Sequence, residues 1–298
     1  MTKPNQERNL LVRVSSSLSV AVALFAATQA NAATELMYAI ELGSGNVFSF
    51  NSDAPGTVLS SHAITGLQNN EAIQGLDSAP DGTLYGLGSS SRLYAINPNT
   101  GAAVAVGGQF ATLLNGSTFG MDLGPTGVRV VSDLGQALLI NTATGAATVQ
   151  ASPAYAAGDP HVGVTPRIDA LAFDSATGTW IAGDSLANLL ATLTPSSGAL
   201  NTIGNSGIDF SRNNGLDFSA ASGILYLASP AASSDPQANL YTVNPTTGAV
   251  TLVGLIGNVG DNILVGGLTA AVSAVPEPSS LALLTVGGML FAIVRRKK

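Results

Sequence analysis

Three aspartates recur in the third place of a repeated three-residue word. The word reads Gly75-Leu76-Asp77, Gly120-Met121-Asp122 and Gly215-Leu216-Asp217, and it returns with Ala172 and with Thr269 in that place. If the word marks equivalent strands around one axis, the carboxylates converge, and carboxylate oxygens are ligands that a hard cation such as calcium prefers. The alternative is that each aspartate accepts hydrogen bonds from the turn after it. We favour this alternative, and predict no cofactor, because two of the five words lack the carboxylate.

Two arginines stand three residues before the word in neighbouring repeats, Arg167 and Arg212. In a domain with few cations, such a pair can clamp a carboxylate or sulfate group through bidentate hydrogen bonds. Asp159 and His161 lie close enough before Arg167 to join this ligand site. The alternative is that each arginine neutralises an aspartate near it in sequence.

The sequence lacks the linear signatures of common catalytic sites. It has no Gly-x-Ser-x-Gly, no His-Glu-x-x-His and no glycine-rich phosphate loop before a helix. With no cysteine, it has neither a thiol nucleophile nor a thiolate metal site. We therefore predict that the protein is not an enzyme. A hydrolase or lyase acting on glycans is the alternative, because sites built from scattered Asp, Glu and His leave little linear signal.

The charge of the central part of the chain excludes one class of partner. Between residues 33 and 274 there are 16 acidic residues and four basic ones, all arginine, which gives a formal charge of −12. Nucleic acid binding needs a basic surface, so nucleic acid is not a predicted partner.

A turn ending in glycine supplies the period of the chain. It occupies residues 97–101, 141–145, 194–198 and 244–248, with a looser copy at 51–56, and its glycines recur every 44 to 53 residues. Alternating apolar and polar residues flank each turn, which predicts a β-hairpin. The three-residue word and a further turn lie upstream of each hairpin. Each unit therefore contains four strands: strand A carries the word, strand B follows the further turn, and strands C and D form the hairpin. Four strands at this period are typical of a β-propeller blade.

The two ends of the repeat are out of phase. The chain after residue 33 opens with strands B, C and D at 36–40, 47–50 and 57–60, and the last word, at 267–272, is a strand A with nothing after it. Placing that last strand innermost in the first blade closes the ring. We predict an all-β fold, a five-bladed β-propeller over residues 33–274 closed by a C-terminal inner strand. A parallel β-helix is the alternative.

The first 32 residues have the layout of a secretory signal peptide. Lys3, Arg8 and Arg13 precede an apolar stretch at 18–27, and a small-residue cleavage site, Ala30-Asn31-Ala32, follows it. We expect signal peptidase to cleave there and the remainder to be exported.

The last two dozen residues combine a tripeptide, an apolar run and a basic end. Pro276, Glu277 and Pro278 come first, residues 281–294 are apolar, and the chain ends in Arg295, Arg296, Lys297 and Lys298. As a helix the run spans about 21 Å, which is short for a hydrocarbon core of about 30 Å. The basic residues are expected to hold its end on the cytoplasmic side of the inner membrane.

This tail, residues 275–298, resembles the PEP-CTERM sorting tail of Gram-negative bacteria. The resemblance implies recognition of the Pro-Glu-Pro motif by the membrane protease exosortase, transient inner-membrane anchoring through the apolar transmembrane helix, and release to the extracellular space or cell surface. A permanent tail anchor is the alternative.

The middle of the chain resembles a secreted bacterial family catalogued as domain of unknown function 4394. The resemblance rests on residues 120–125, 129–136, 154–159 and 165–167. Members of that family usually carry Asn where this chain has Gly124. The family brings no established activity, so we predict a non-catalytic extracellular matrix or binding protein associated with exopolysaccharide. A cation-stabilised structural module is a further alternative.

Overall fold

The computed structural model describes residues 34–209, 212–232 and 234–271, and every regular element within them is a β-strand. The predicted signal peptide, the Pro276-Glu277-Pro278 motif and the basic end from Arg295 to Lys298 lie outside the described residues. Within the described part of the chain, no helix is long and apolar enough to cross a membrane.

The strands form five sheets, which are the blades of the predicted propeller, and in each blade four antiparallel strands run from an inner to an outer position. Blade 1 contains β21 (Val265–Ala270), β1 (Leu36–Glu41), β2 (Asn46–Asn51) and β3 (Ala54–Ala63). Blade 2 contains β4 (Ile73–Ser78), β5 (Leu84–Gly88), β6 (Arg92–Ile96) and β7 (Ala103–Val106). Blade 3 contains β8 (Phe119–Gly124), β9 (Gly127–Ser132), β10 (Ala137–Ile140) and β11 (Ala147–Val149). Blade 4 contains β13 (Ile168–Asp174), β14 (Thr179–Asp184), β15 (Leu189–Thr194) and β16 (Ala199–Asn205), and blade 5 contains β17 (Gly215–Phe218), β18 (Leu225–Ser229), β19 (Asn239–Val243) and β20 (Val250–Leu255).

Blade 1 is assembled from both ends of the domain. Strand β21 pairs antiparallel with β1, with Met37 opposite Ala270 and Tyr38 opposite Thr269. The predicted closure by a C-terminal inner strand is confirmed, although the strand covers Val265–Ala270 and not residues 267–272. The ring therefore closes through backbone hydrogen bonds between the first and last described strands.

Blade 4 carries a fifth strand that the sequence did not reveal. Strand β12 (Ala154–Tyr155) pairs in parallel with the outer strand β16. It lies between β11 and β13, and two residues are too few to show a period.

Five hydrophobic clusters lie between successive blades and hold the ring together. The second residue of the repeated word contributes to a different cluster in each blade: Leu76, Met121, Leu171, Leu216 and Leu268. All five side chains are buried. The word thus recurs because every blade presents one large apolar side chain to the interface with its neighbour.

The first residue of the word is small because the inner strands meet at the axis. A Cβ added to Gly120 would lie 2.6 Å from the carbonyl carbon of Ala170, and one added to Gly267 would lie 2.6 Å from the nitrogen of Leu76. Such distances are well inside van der Waals contact. We call this level, formed by Gly75, Gly120, Ala170, Gly215 and Gly267, the waist.

The outer strands form a second ring, which we call the belt. In blades 2 to 5 the last residue of the turn before the outer strand is a glycine with positive φ, as at Gly145 with φ 69°. A Cβ there would strike the carbonyl oxygen of Val106, at the end of the outer strand of the preceding blade. The same contact recurs for Gly101 with Ala63, Gly198 with Ser152, and Gly248 with Gly204. At the fifth junction the Gly257 N–H donates to the Pro55 carbonyl at 3.0 Å.

Candidate functional site

A large cavity among the described residues opens at one end of the propeller axis. It has a volume of about 740 Å³ and is lined by the ends of the inner strands and by the turns that follow them. Its walls include Pro80, Leu123, Pro125, Phe173 and Phe218, and its floor includes Asp77, Asp122 and Asp217. We call this cavity the funnel, the face onto which it opens the funnel face, and the opposite face the loop face.

The waist closes the funnel from below. The space between the inner strands at that level amounts to only about 10 Å³. A cavity of that size holds at most one water molecule. The funnel is therefore a blind pocket and not a passage through the ring.

Each aspartate of the floor bonds to the backbone of the next blade. Asp77 Oδ2 accepts from the Leu123 N–H at 2.6 Å, Asp122 Oδ2 from the Phe173 N–H at 2.7 Å, and Asp217 Oδ2 from the Ala270 N–H at 2.6 Å. In each pair the N–H belongs to the neighbouring blade, to the residue directly after the third residue of the word. The predicted hydrogen bond from the following residue occurs at Asp77 alone of the three, where Oδ1 accepts from the Ser78 N–H.

The three carboxyl groups also approach one another. One oxygen from each lies within 4.8 Å of the others, and all three side chains are buried. Burial raises the pKa of Asp77. Burial first, and then repulsion from Asp77 and Asp217, raises the pKa of Asp122 well above its ordinary range. Burial and the charge of Asp77 do the same for the pKa of Asp217. The floor thus favours carboxylic acids, which donate and accept hydrogen bonds, over three free negative charges.

The other two blades supply no carboxylate to the floor. Ala172 stands in the equivalent place in blade 4, and Thr269 in blade 1. Thr269 Oγ1 donates to Asp77 Oδ1 at 3.0 Å and lies 2.8 Å from the hydroxyl of Ser78. The convergence expected from the repeated word is therefore present, on three sides of the axis.

Arg167 lies on the loop face, at the start of β13, and contacts its own blade. Its Nε donates to the Ser185 hydroxyl and its Nη2 to the Ser185 carbonyl, both at 2.9 Å. Ser185 in turn donates to Asp169. Arg167 is thus linked through Ser185 to an aspartate near it in sequence.

Arg212 reaches across the loop face to a different blade. Its Nη1 lies 3.9 Å from Asp133 Oδ2, so blade 5 is joined to blade 3. Arg212 also lines a cavity of about 80 Å³ with Ser117, Thr118 and Gln74. Arg212 and Arg167 thus contact different partners, and the cavity on their face is much smaller than the funnel.

Asp159 and His161 are together, but at the outer edge of blade 4. Asp159 accepts hydrogen bonds from the Thr202 N–H at 2.6 Å and from the His161 N–H at 2.8 Å. His161 Nδ1 lies 3.0 Å from the Thr202 hydroxyl, and the ring packs on Tyr155. Burial alone would raise the pKa of Asp159, but the hydrogen bonds from Thr202 and His161 outweigh it, and the pKa is lowered. These contacts fix the long loop and strand β12 to β16.

Asp169 is a buried acid that was not predicted from the sequence as a site residue. It is 2% exposed and also accepts from Asn214 Nδ2 at 3.2 Å. Burial raises its pKa to about 7, although the hydrogen bonds from Ser185 and Asn214 act in the opposite direction. The residues beside Asp169 in the sequence, Arg167 and an isoleucine, do not indicate that its side chain is buried.

Gly124, where the resembled family usually has Asn, lies under the ring of Trp180. A Cβ at this position would be 3.0 Å from Trp180 Cη2 and nearer still to Cζ2. The Trp180 ring also packs on Phe173, with 4.8 Å between centroids, and the Arg129 guanidinium lies 5.1 Å above it. The tryptophan therefore fills the space that a side chain at 124 would need, beside the funnel wall.

Solved structures with a similar arrangement are distant in sequence. A chain of the nidogen/laminin complex is 14% identical, with 80% of this chain and 98% of that chain covered and a TM-score of 0.48. A protein of unknown function from Bacteroides thetaiotaomicron is 14% identical, with coverage of 73% and 58% and a TM-score of 0.48. A protein from Lactobacillus plantarum is 18% identical, with coverage of 79% and 71% and a TM-score of 0.40. No curated protein matches the chain.

Two family models match the sequence. Residues 274–298 match the PEP-CTERM protein-sorting motif, which indicates an exported protein and implies processing by exosortase. Residues 46–266 match the family described as domain of unknown function DUF4394. Because this second match covers most of the chain and four of the five blades in full, the protein belongs to the DUF4394 family and ends in a PEP-CTERM sorting motif.

Proposed function

We propose that the protein is a non-catalytic binding propeller of the extracellular matrix or cell surface, and that its funnel binds a hydroxyl-rich segment of exopolysaccharide. The observation that carries the proposal is the blind funnel with three converging carboxyl groups at its floor. Ligand sites in proteins are typically concave, largely apolar and equipped with a few convergent polar groups.

The chemistry of the funnel suits a sugar. A volume of about 740 Å³ lies within the usual range for small-ligand pockets. Phe173, Phe218 and the two prolines of the wall offer flat apolar surfaces for the C–H faces of a pyranose ring. Carboxyl groups with raised pKa values can both donate to and accept from sugar hydroxyls.

The orientation of the aspartates supports binding over catalysis. One oxygen of each carboxyl group is held by a backbone N–H of the adjacent blade. A general acid or nucleophile needs a group free to exchange its proton or attack the substrate. These carboxyl groups are instead fixed as parts of the blade interfaces.

The sorting motif supports export of the protein to the cell surface or matrix. On this proposal signal peptidase cleaves after Ala32, the apolar residues 281–294 hold the precursor in the inner membrane, and exosortase removes the tail. The acidic domain then carries its funnel to the cell surface or matrix.

Titration calorimetry with oligosaccharides from the host exopolysaccharide tests this function. Asp122→Asn keeps the shape of the side chain but changes its hydrogen bonding, and should cost about 0.5–1.5 kcal/mol, or up to roughly one decade in affinity. Asp261→Asn, on the loop face, is the matched control and should bind as the parent does. Loss of binding in Arg212→Lys with unchanged binding in Asp122→Asn would move the ligand to the loop face and overturn the proposal.

A hydrolysis screen run on the same glycans distinguishes binding from catalysis. Release of reducing ends or unsaturated products by the parent protein, and not by Asp122→Asn, would establish a glycan-processing enzyme instead.

A second candidate, a structural calcium site, rests on the three carboxylate oxygens that lie within 4.8 Å of one another. Calcium takes six to eight oxygen ligands. One oxygen of each carboxylate is already engaged with the backbone, so few ligands remain and the affinity should resemble the weak sites of extracellular modules. Melting curves with calcium and with a chelator test this candidate, and identical curves in both would exclude it.

A further inference from the structure

Arg129 is a buried cation for which the described residues provide no counter-ion. It is 6% exposed, and within the described part of the chain it makes no ion pair and no side-chain hydrogen bond. Its guanidinium lies against the ring of Trp180, 5.1 Å from the centroid. Burial lowers the pKa of the guanidinium, because its charge is held away from water. A buried charge without a partner is costly, so its presence points to an anion that binds there.

Arg129 lies one row of side chains below the mouth of the funnel. It is opposite Asp122 on the β8–β9 ladder, and Gly124 is opposite Gly127 at the end of the same ladder. Residues two apart on a strand point to the same face and lie about 7 Å apart. Both glycines line the funnel. Because a glycine has no side chain, these two strands place no side chain between the guanidinium and the funnel mouth.

Asp122, the acid beside Arg129 on the ladder, does not neutralise it. Burial raises the pKa of Asp122 well above its ordinary range, which favours the uncharged carboxylic acid. One oxygen of this group is also held by the Phe173 N–H at 2.7 Å. The funnel therefore combines uncharged hydrogen-bonding groups at its floor with an unpaired cation beside its wall. This combination suits a glycan that carries a negative charge.

We propose that Arg129 is an anion subsite of the funnel and takes the carboxylate of a uronic acid unit in the bound glycan. The guanidinium turns from the Trp180 ring, passes the two glycines and donates to both carboxylate oxygens. Such a bidentate pair is stronger than a contact between a cation and an aromatic ring. This inference rests on the funnel being the glycan site, and it makes the ligand an acidic polysaccharide.

Trp180 is the sole tryptophan, so its fluorescence reports the departure of the guanidinium directly. An oligoglucuronate and a glucose oligomer of the same linkage and length are titrated into the parent, Arg129→Met and Arg129→Lys. Arg92→Met is the matched control, because it changes the net charge equally. Arg92 begins β6, at the loop-face end of blade 2, and its buried Nε also lacks a hydrogen-bond partner.

The parent should bind the oligoglucuronate about 10- to 100-fold more tightly than the glucose oligomer, with a shift in the emission of Trp180. Arg129→Met should lose this preference, and Arg129→Lys should keep part of it, because a point charge replaces the fork. Arg92→Met should bind as the parent does. Without ligand, Arg129→Met should melt at or above the Tm of the parent, because an apolar side chain replaces an unpaired buried charge. A lowered Tm with an unchanged preference would overturn the proposal and assign Arg129 to packing alone.

The two proposals fail separately. Equal binding of both oligomers, in the parent and in Arg129→Met, would keep the glycan function and overturn the anion subsite. If the parent binds neither oligomer, the proposed glycan function falls, and inorganic sulfate becomes the probe. A shift of Trp180 emission with sulfate in the parent, and not in Arg129→Met, would support the anion subsite on its own. No shift in either protein would overturn the subsite as well.

Discussion

Replacing Gly215 with alanine tests whether the waist is a packed contact between strands that determines the stability of the ring. The added Cβ would lie 2.6 Å from the Cβ of Leu268 and 2.7 Å from the carbonyl carbon of Gly267, and closer still to the backbone nitrogen of Leu268. Two of these three atoms belong to backbone, which has no rotamer with which to move aside. Strand β21, which closes the ring, must therefore shift.

The size of the shift sets the cost. Carbon atoms in contact lie about 3.5–4.0 Å apart, so β21 must retreat by about 1 Å along much of its length. Overpacking of this kind costs about 1–3 kcal/mol, and the upper end applies because the movement also disturbs the pairing of β21 with β1. For a domain of this size about 3 kcal/mol lowers Tm by roughly 6–12 °C.

Urea and thermal unfolding followed by the fluorescence of Trp180, the sole tryptophan, measure the effect. Gly108→Ala is the control, because nothing lies within 4 Å of its Cβ and its φ is not positive. It should change the free energy of unfolding by less than about 0.5 kcal/mol. If Gly215→Ala and Gly108→Ala unfold at the same urea concentration, the inner strands are not in contact and the account of the waist is wrong.

Three further predictions concern a buried acid, the closure strand and the sorting motif. The pKa of Asp169, raised to about 7, lies above its value in the unfolded chain, so its contribution to stability is full below about pH 4 and is lost as the pH rises to about 7. Between about pH 4 and pH 7, the free energy of unfolding of the parent should fall by up to about 4 kcal/mol more than that of Asp169→Asn. Parallel curves of unfolding free energy against pH for the two proteins would contradict this. Deleting residues 265–271 should abolish cooperative unfolding by urea, whereas a chain ending at residue 274 should unfold as the parent does; equal behaviour would refute closure by β21. Replacing Pro276, Glu277 and Pro278 with alanine should leave an unprocessed, membrane-retained form in a host that has exosortase, and mature-sized protein in the medium would argue against sorting by this motif.

The repeats predicted the blades because each hairpin is a local event. Glycines such as Gly145 mark turns that need positive φ, and alternation on both sides marks strands, so both signals lie within one short window of sequence. The closure of the ring was predictable as well, because the first blade has only strands B, C and D and the last strand A has no partners of its own.

The partners of the floor aspartates were not predicted, although a signal existed. Each accepts an N–H from a residue 46 to 53 positions further along the chain, which is one repeat away. Turn chemistry concerns only the residues that follow an aspartate, and it accounts for the one bond that Asp77 makes with Ser78. Comparing the word with itself one period later would have placed Asp122 beside the backbone of residue 173.

The location of the funnel depends on contacts between strands that are distant in sequence. The arginine pair suggested a ligand site on the loop face, but Arg212 reaches across that face to Asp133 and the cavity beside it is small. The funnel is formed where inner strands diverge above the waist, between short turns. Its depth depends on the small residues of the waist, such as Gly120, and on the convergence of five strands that are distant in sequence.

Two repeated kinds of contact between blades have the same rotational sense. An aspartate of one blade accepts a hydrogen bond from a backbone N–H of the next blade, and the outer strand of one blade ends against the turn glycine of the next. The two sides of a blade therefore carry different and complementary groups. In assemblies, such head-to-tail interfaces either close into a ring or continue into an open polymer. A molecule in which β21 detaches from β1 would expose the edge of β1 on one side and offer β21 on the other. Two such molecules could pair through the same strands as each uses to close its own ring, and the protein concentration would then decide between a closed monomer and a strand-exchanged chain.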